Sequence, residues 1–179
     1  MDPAYRVLRI ALALLVTTTV VAAAAYAQGF RFREGSLPAR YAPPRMPDAS
    51  FVVCRLAYRS VRVEPMGIGW QTDYPYAEIN LTTRLSELTR TRVSRDGEGN
   101  PNHFVVRVTD DALFNCPFTV ASDVGSLGFS PAEIERLRTY LLKGGFLWVD
   151  DFWGTLAWRQ WSNEIARVLP PSEDRKSVV

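Results

Sequence analysis

Apolar and β-branched residues run almost unbroken through Phe51-Val52-Val53-Cys54-Arg55-Leu56-Ala57-Tyr58, a pattern that predicts a first strand. A loop rich in Gly and Pro follows and leads through Thr72-Asp73-Tyr74-Pro75 into a helix. Ala77, Leu81, Leu85 and Leu88 recur there at helical spacing and predict its buried face. Short strands are expected at residues 91–94 and 104–108, on either side of the turn Asp96-Gly97-Glu98-Gly99-Asn100-Pro101. Phe118 to Ala121 reads as another strand. Ser130-Pro131-Ala132-Glu133 is a helix start: Ser130 caps, Pro131 sits where no N–H is needed, and Glu133 closes a capping box. Ile134, Leu137, Tyr140 and Leu141 form the apolar face, and Gly144 supplies a left-handed stop after Lys143. Phe146-Leu147-Trp148-Val149 is continuously apolar, as expected of a strand covered on both faces. A last helix carries Trp158, Trp161, Ile165 and Val168 on one side. Strand, helix and strand in this order make a right-handed crossover, so a doubly wound, mostly parallel α/β sheet is expected.

The ends of the chain read differently. Arg6 and Arg9, the apolar run Ile10 to Ala25, and Ala25-Tyr26-Ala27 make a secretory signal over residues 1–27. The apolar run is shorter than the ~20 residues that span a bilayer. Cleavage after Ala27 is therefore expected, with an uncleaved signal anchor as the alternative. Either outcome exports the domain, to the periplasm or beyond. Residues 28–50, with Pro38, Pro43, Pro44 and Pro47, read as a linker. The α/β domain is expected over 51–170, followed by a tail over 171–179. Within that tail, Asp174 to Val179 matches an in-frame translation of a common sequencing adapter, so the domain is expected to continue past about Glu173.

Composition narrows the partners. The chain has 21 Lys+Arg and 19 Asp+Glu; without residues 1–27, which carry Arg6, Arg9 and Asp2, 19 cations face 18 anions. No basic run exists, which argues against nucleic acid. Cys54 and Cys116 each lie in or beside an apolar run, where a lone cysteine is ordinarily a small buried hydrophobe. In an oxidising compartment the two have the option of pairing.

Ligands of doubly wound sheets bind at the carboxyl ends of the strands. Two such ends, Ala121-Ser122-Asp123-Val124-Gly125 and Val149-Asp150-Asp151-Phe152-Trp153-Gly154, follow successive strands and should lie side by side. Asp123, Asp150 and Asp151 would then cluster as a divalent-cation site or an acid/base pair. Aspartates after strands also cap helices, and Asp151 or Thr155 is placed to cap the last one. Ser122 lacks a G-x-S-x-G elbow, and His103, the one histidine, falls in a polar loop. A histidine-type metal site is thereby excluded. Trp158 and Trp161 read as core, whereas Trp153 is kept as a ligand contact. Gly67-Ile68-Gly69 has no strand–loop–helix frame around it and is no phosphate loop.

Two blocks of residues resemble a known family. They are Gly69-Trp70-Gln71-Thr72-Asp73-Tyr74-Pro75-Tyr76-Ala77-Glu78-Ile79-Asn80-Leu81, continued by Arg84 to Thr89, and Leu137 to Asp151. Their sequence and order resemble the bacterial domain of unknown function 4159, over about Phe51 to Pro170. The resemblance implies a glutamine-amidotransferase-like (flavodoxin-like) α/β fold, in a domain longer than this chain, and no established activity. It also implies no amidotransferase chemistry, because Ala121-Ser122-Asp123 stands where amidotransferases carry their nucleophilic cysteine. The expectation is an exported binding or interaction domain with a rim of Asp73, Tyr74, Asp123, Asp150, Asp151 and Trp153. Its partner would be a small molecule or an envelope protein, its membrane contact only the signal segment if that stays uncleaved, and the sequence names no cofactor. The alternative is a periplasmic hydrolase using Asp150 with Asp73 or Asp123, with or without a metal.

Overall fold

A computed structural model of the chain describes residues 14–21, 38–64 and 67–169. Within it, residues 14–21 are helical and exposed, and no helix among the described residues is long and apolar enough to cross a membrane. The rest of the expected signal segment, the first part of the expected linker, residue 170 and the expected tail over 171–179 lie outside the described residues.

Four strands, β1 (Val53–Ala57), β2 (His103–Arg107), β3 (Phe118–Ser122) and β4 (Phe146–Asp150), form one sheet in the order β2-β1-β3-β4. All three pairings are parallel. The chain starts in the middle, moves outward to β2, then crosses to the other side of β1 for β3 and β4. The point where that direction reverses lies between β1 and β3. Helix α1 (Tyr76–Leu88) connects β1 to β2, α2 (Pro131–Leu142) connects β3 to β4, and α3 (Gly154–Val168) follows β4. This is the expected doubly wound parallel architecture.

Strand alternation decides which helix meets which face. Cys54, Leu56, Phe104, Val106 and Ala121 point to one side, where Ile134, Leu137, Tyr140, Trp161 and Val168 of α2 and α3 cover them in the main core. On the other side Ala57 and Val105 pack with Tyr74 and Trp70. The start of α2 is as expected: Ser130 accepts from Glu133 N, Glu133 returns a bond to Ser130 N, and Gly144 takes a φ of +93° after the helix.

Several expectations need correction. The α1 stripe does not face the core: Leu81 is 42% and Leu88 80% exposed, while Glu78 and Thr82 are buried. The cause is Arg55, which projects from the centre of β1 toward α1 and draws Glu78 inward. A buried charge has to be paired, and that requirement outweighs the packing of a leucine stripe. β4 is not covered on both faces. It is an edge strand whose Leu147 and Val149 join the main core while Phe146 and Trp148 are each 52% exposed. Trp158 is 54% exposed and lies against Phe152, so only Trp161 of that pair is core. Residues 91–94 form a single isolated bridge, Val93 to Phe51, rather than a strand. His103 begins β2 instead of sitting in a loop. Finally, Cys54 and Cys116 are joined in a disulfide, their Cα atoms 6.0 Å apart. Parallel pairing sets Val53 beside Phe118 and so brings the segment before β3 next to Cys54. Neither cysteine is the free hydrophobe that its own surroundings suggest. Within the stretch expected as linker, Arg40 and Ala42 hydrogen-bond with Val105 along the outer edge of β2.

Candidate functional site at the strand ends

A hydrogen-bonded chain runs from the buried face of the sheet to its carboxyl rim. Arg55 and Glu78 are both fully buried, and Arg55 Nε donates to Glu78 Oε1 at 2.5 Å. Arg55 Nη1 donates to Ser122 Oγ at 2.5 Å, and Ser122 Oγ donates to Asp150 Oδ1 at 2.7 Å. The register that pairs Ser122 with Asp150 makes the last link. Asp150 is exposed, so the chain ends in a carboxylate at the surface. With its proton committed to Asp150 and only 1% of its surface exposed, Ser122 is a support for Asp150 and is not presented as a nucleophile.

Asp123 is the next residue along. It is 1% exposed, and its Oδ2 accepts from Gly69 N at 2.7 Å. This contact ties the end of β3 to the loop that carries Asp73. Tyr58 reinforces the corner by donating to the carbonyl oxygens of Ser122 and Asp123, both at 2.7 Å. Two glycines make room for carboxylates. A Cβ at Gly67 would stand 2.2 Å from Asp123 Oδ2, and one at Gly125 would stand 1.7 Å from Glu64 Oε2. Glu64 is buried and accepts from Arg62 Nη1 at 2.9 Å. Asp123 Oδ1 and Glu64 Oε2 are buried without a hydrogen-bond partner.

Backbone and electrostatics both single out Asp123 and Asp151. Asp73, Asp123 and Asp151, with φ of 61°, 54° and 54°, are the non-glycine residues of positive φ among those described. The left-handed region is unfavourable for residues with a side chain, and aspartate tolerates it better than most. Burial raises the Asp123 carboxyl above its ordinary range; the Gly69 N–H opposes that, while Glu64 and Asp151 add to it. Burial also raises Asp151, helped by the negative charges of Asp73 and Asp150 and opposed by a hydrogen bond with Trp153. The carboxylates thus share one field.

Of the residues expected at the rim, Asp73, Asp150 and Trp153 are exposed there and Asp151 is half-buried. Asp123 lies beneath them. Tyr74 presents no surface to a ligand: it is fully buried, packs edge-on against Trp70 and His103, and its hydroxyl accepts from Arg40 N. The capping role open to Asp151 or Thr155 is not taken up, since Trp153 precedes α3 with no side-chain cap, and Asp123 likewise caps nothing. Among the described residues, no three carboxylate, histidine or cysteine side chains are gathered closely enough to hold one metal ion. Arg55, Glu64, Glu78 and Gly67 belong to the site without having been foreseen. The available signal was Arg55, the one charge inside an eight-residue apolar run.

A family profile, Domain of unknown function (DUF4159), matches residues 54–175. The chain belongs to the DUF4159 family. No curated protein matches it. The matched segment contains every residue of the acidic rim.

Proposed function

We propose that this DUF4159 chain is an exported ligand-binding domain whose acidic rim takes a cationic or hydroxyl-rich ligand. The observation that carries this reading is that three left-handed aspartates, Asp73, Asp123 and Asp151, lie near enough at the strand ends for the charge of Asp151 to act on Asp123 and that of Asp73 on Asp151. Backbone strain of this kind persists where the surrounding structure fixes it, and it clusters at ligand sites. Trp153, 58% exposed beside Asp151, adds an apolar platform. A glutamine-amidotransferase-like fold is the wider reading, and the all-parallel, doubly wound order β2-β1-β3-β4 supports it. Both cysteines are consumed in the disulfide, which supports a role other than thiol-based amidotransfer. That disulfide also supports export, because such bonds persist in oxidising compartments.

Titration with a panel of oligosaccharides and diamines, followed through the Trp153 indole resonance, tests the reading. Saturable binding that Asp151→Asn and Trp153→Ala each weaken is expected. A panel without a binder, or binding indifferent to both changes, overturns it. A second reading, an acid/base hydrolase, draws on the Asp151 carboxyl, raised by burial and next in sequence to the exposed Asp150. Turnover of a bound oligosaccharide, lost in Asp150→Asn with binding retained, would select the hydrolase.

A further inference from the structure

Along the same sheet edge the charge reverses. The order β2-β1-β3-β4 places Arg107, the last residue of β2, and Arg59, two residues past β1, on one side of the switch point. Asp123, Asp150 and Asp151 lie on the other side. At the basic end opens a cavity of about 260 Å³, lined by Arg59, Arg107, Tyr41 and Trp70, with Glu133 also in its wall.

Its parts suit one kind of ligand. Neither Arg59 nor Arg107 has a carboxylate partner among the described residues. The Arg107 guanidinium lies 4.4 Å from the Tyr41 ring centre, so its face is stacked and its edge N–H donors are left for an acceptor. The Trp70 ring is half-buried and held edge-on by Tyr74 at 5.8 Å, which orients a rigid apolar wall. Glu133 is occupied by the helix start, its Oε2 accepting from Ser130 N at 2.8 Å, and its charge repels an acid group toward the arginines. Paired guanidiniums recognise carboxylate and phosphate, and aromatic walls accept a flat ring.

We propose that this cleft binds a small planar anion, a single aromatic or heteroaromatic ring bearing a carboxylate or phosphate. The ring packs against Trp70 while Arg59 and Arg107, the latter stacked on Tyr41, hold the acid group. The proposal stands apart from the acidic rim, whose charge repels such a ligand.

Phenyl phosphate and benzoate, titrated into the full chain and followed by the Trp70 indole and arginine Nε resonances, test it. Saturable shifts at Trp70 and both arginines are expected. Arg59→Gln and Arg107→Gln should each weaken binding about tenfold or more, the loss of a charge-assisted hydrogen bond. Arg107→Lys, which keeps the charge but not the fork, should weaken it less. Inorganic phosphate should bind more weakly than phenyl phosphate, and Trp70→Leu should abolish that difference. Absence of saturable shifts with both probes overturns the proposal. So does binding that survives R59Q/R107Q, or equal affinity for the cation benzylamine. Both arginines are exposed, so the substituted chains are expected to keep the parent spectrum elsewhere.

Discussion

Arg55 joins its strand to α1 and to the carboxyl rim through one hydrogen-bonded chain. Fully buried, it pairs with Glu78 and holds Ser122, which in turn holds Asp150. Removing one partner of a buried pair strands the other charge without water. Glu78→Ala is therefore expected to destabilise the fold by about 3–5 kcal/mol in urea denaturation, and Arg55→Met combined with Glu78→Leu to recover most of that loss. A double variant as unstable as the single one would show that the pair has no such compensation. Asp123 makes a different test. Burial raises its carboxyl in the folded state, so the native protein keeps this proton after the unfolded chain has released it. Stability from this residue is then greatest below the ordinary carboxylate range and falls as pH rises through the raised folded value. Asp123→Asn retains an acceptor for Gly69 N–H and tolerates a left-handed backbone, but does not titrate. Its melting temperature should fall less than that of the parent between about pH 4 and about pH 7; parallel profiles would refute the assignment.

At the scale of elements, what could be read from the sequence was what local chemistry determines. The start of α2 needs only Ser130, Pro131 and Glu133, which lie within four residues of one another, and it forms as expected. The facing side of α1 depends on Arg55, more than twenty residues away, and leucine periodicity alone pointed the wrong way. β4 shows the same limit, because an apolar run does not reveal that its strand ends at a sheet edge with Phe146 and Trp148 open. These differences are measurable. Leu88→Lys, at a position 80% exposed, should change the unfolding free energy by less than about 0.5 kcal/mol. Ser130→Ala removes a working cap and should cost about 1 kcal/mol. A large loss from the leucine change would mean that α1 buries its stripe after all.

At the scale of the whole molecule, the site is assembled from segments that only the sheet order brings together. Asp73 comes from the loop after β1, Asp123 from the end of β3, and Asp150 and Asp151 from the end of β4. The last two loops could be paired from the sequence because a single crossover joins their strands. The Gly69–Asp123 contact and the basic cleft at the other end of the rim could not, since both depend on β1 lying between β2 and β3. The disulfide has the same origin, and it makes the proposed export testable. It closes a loop of 62 residues between β1 and the segment before β3. Loop-closure entropy puts its contribution at about 4 kcal/mol. Expressed with residues 1–27 in a Gram-negative host, the protein should collect in the periplasm without free thiols, and a reductant should lower its unfolding free energy by roughly that 4 kcal/mol. Expressed without residues 1–27, it should stay in the reducing cytoplasm with both thiols free and unfold at lower urea. Free thiols in the exported protein, or a midpoint that reductant leaves in place, would separate the fold from an oxidising compartment and remove the disulfide as support for export.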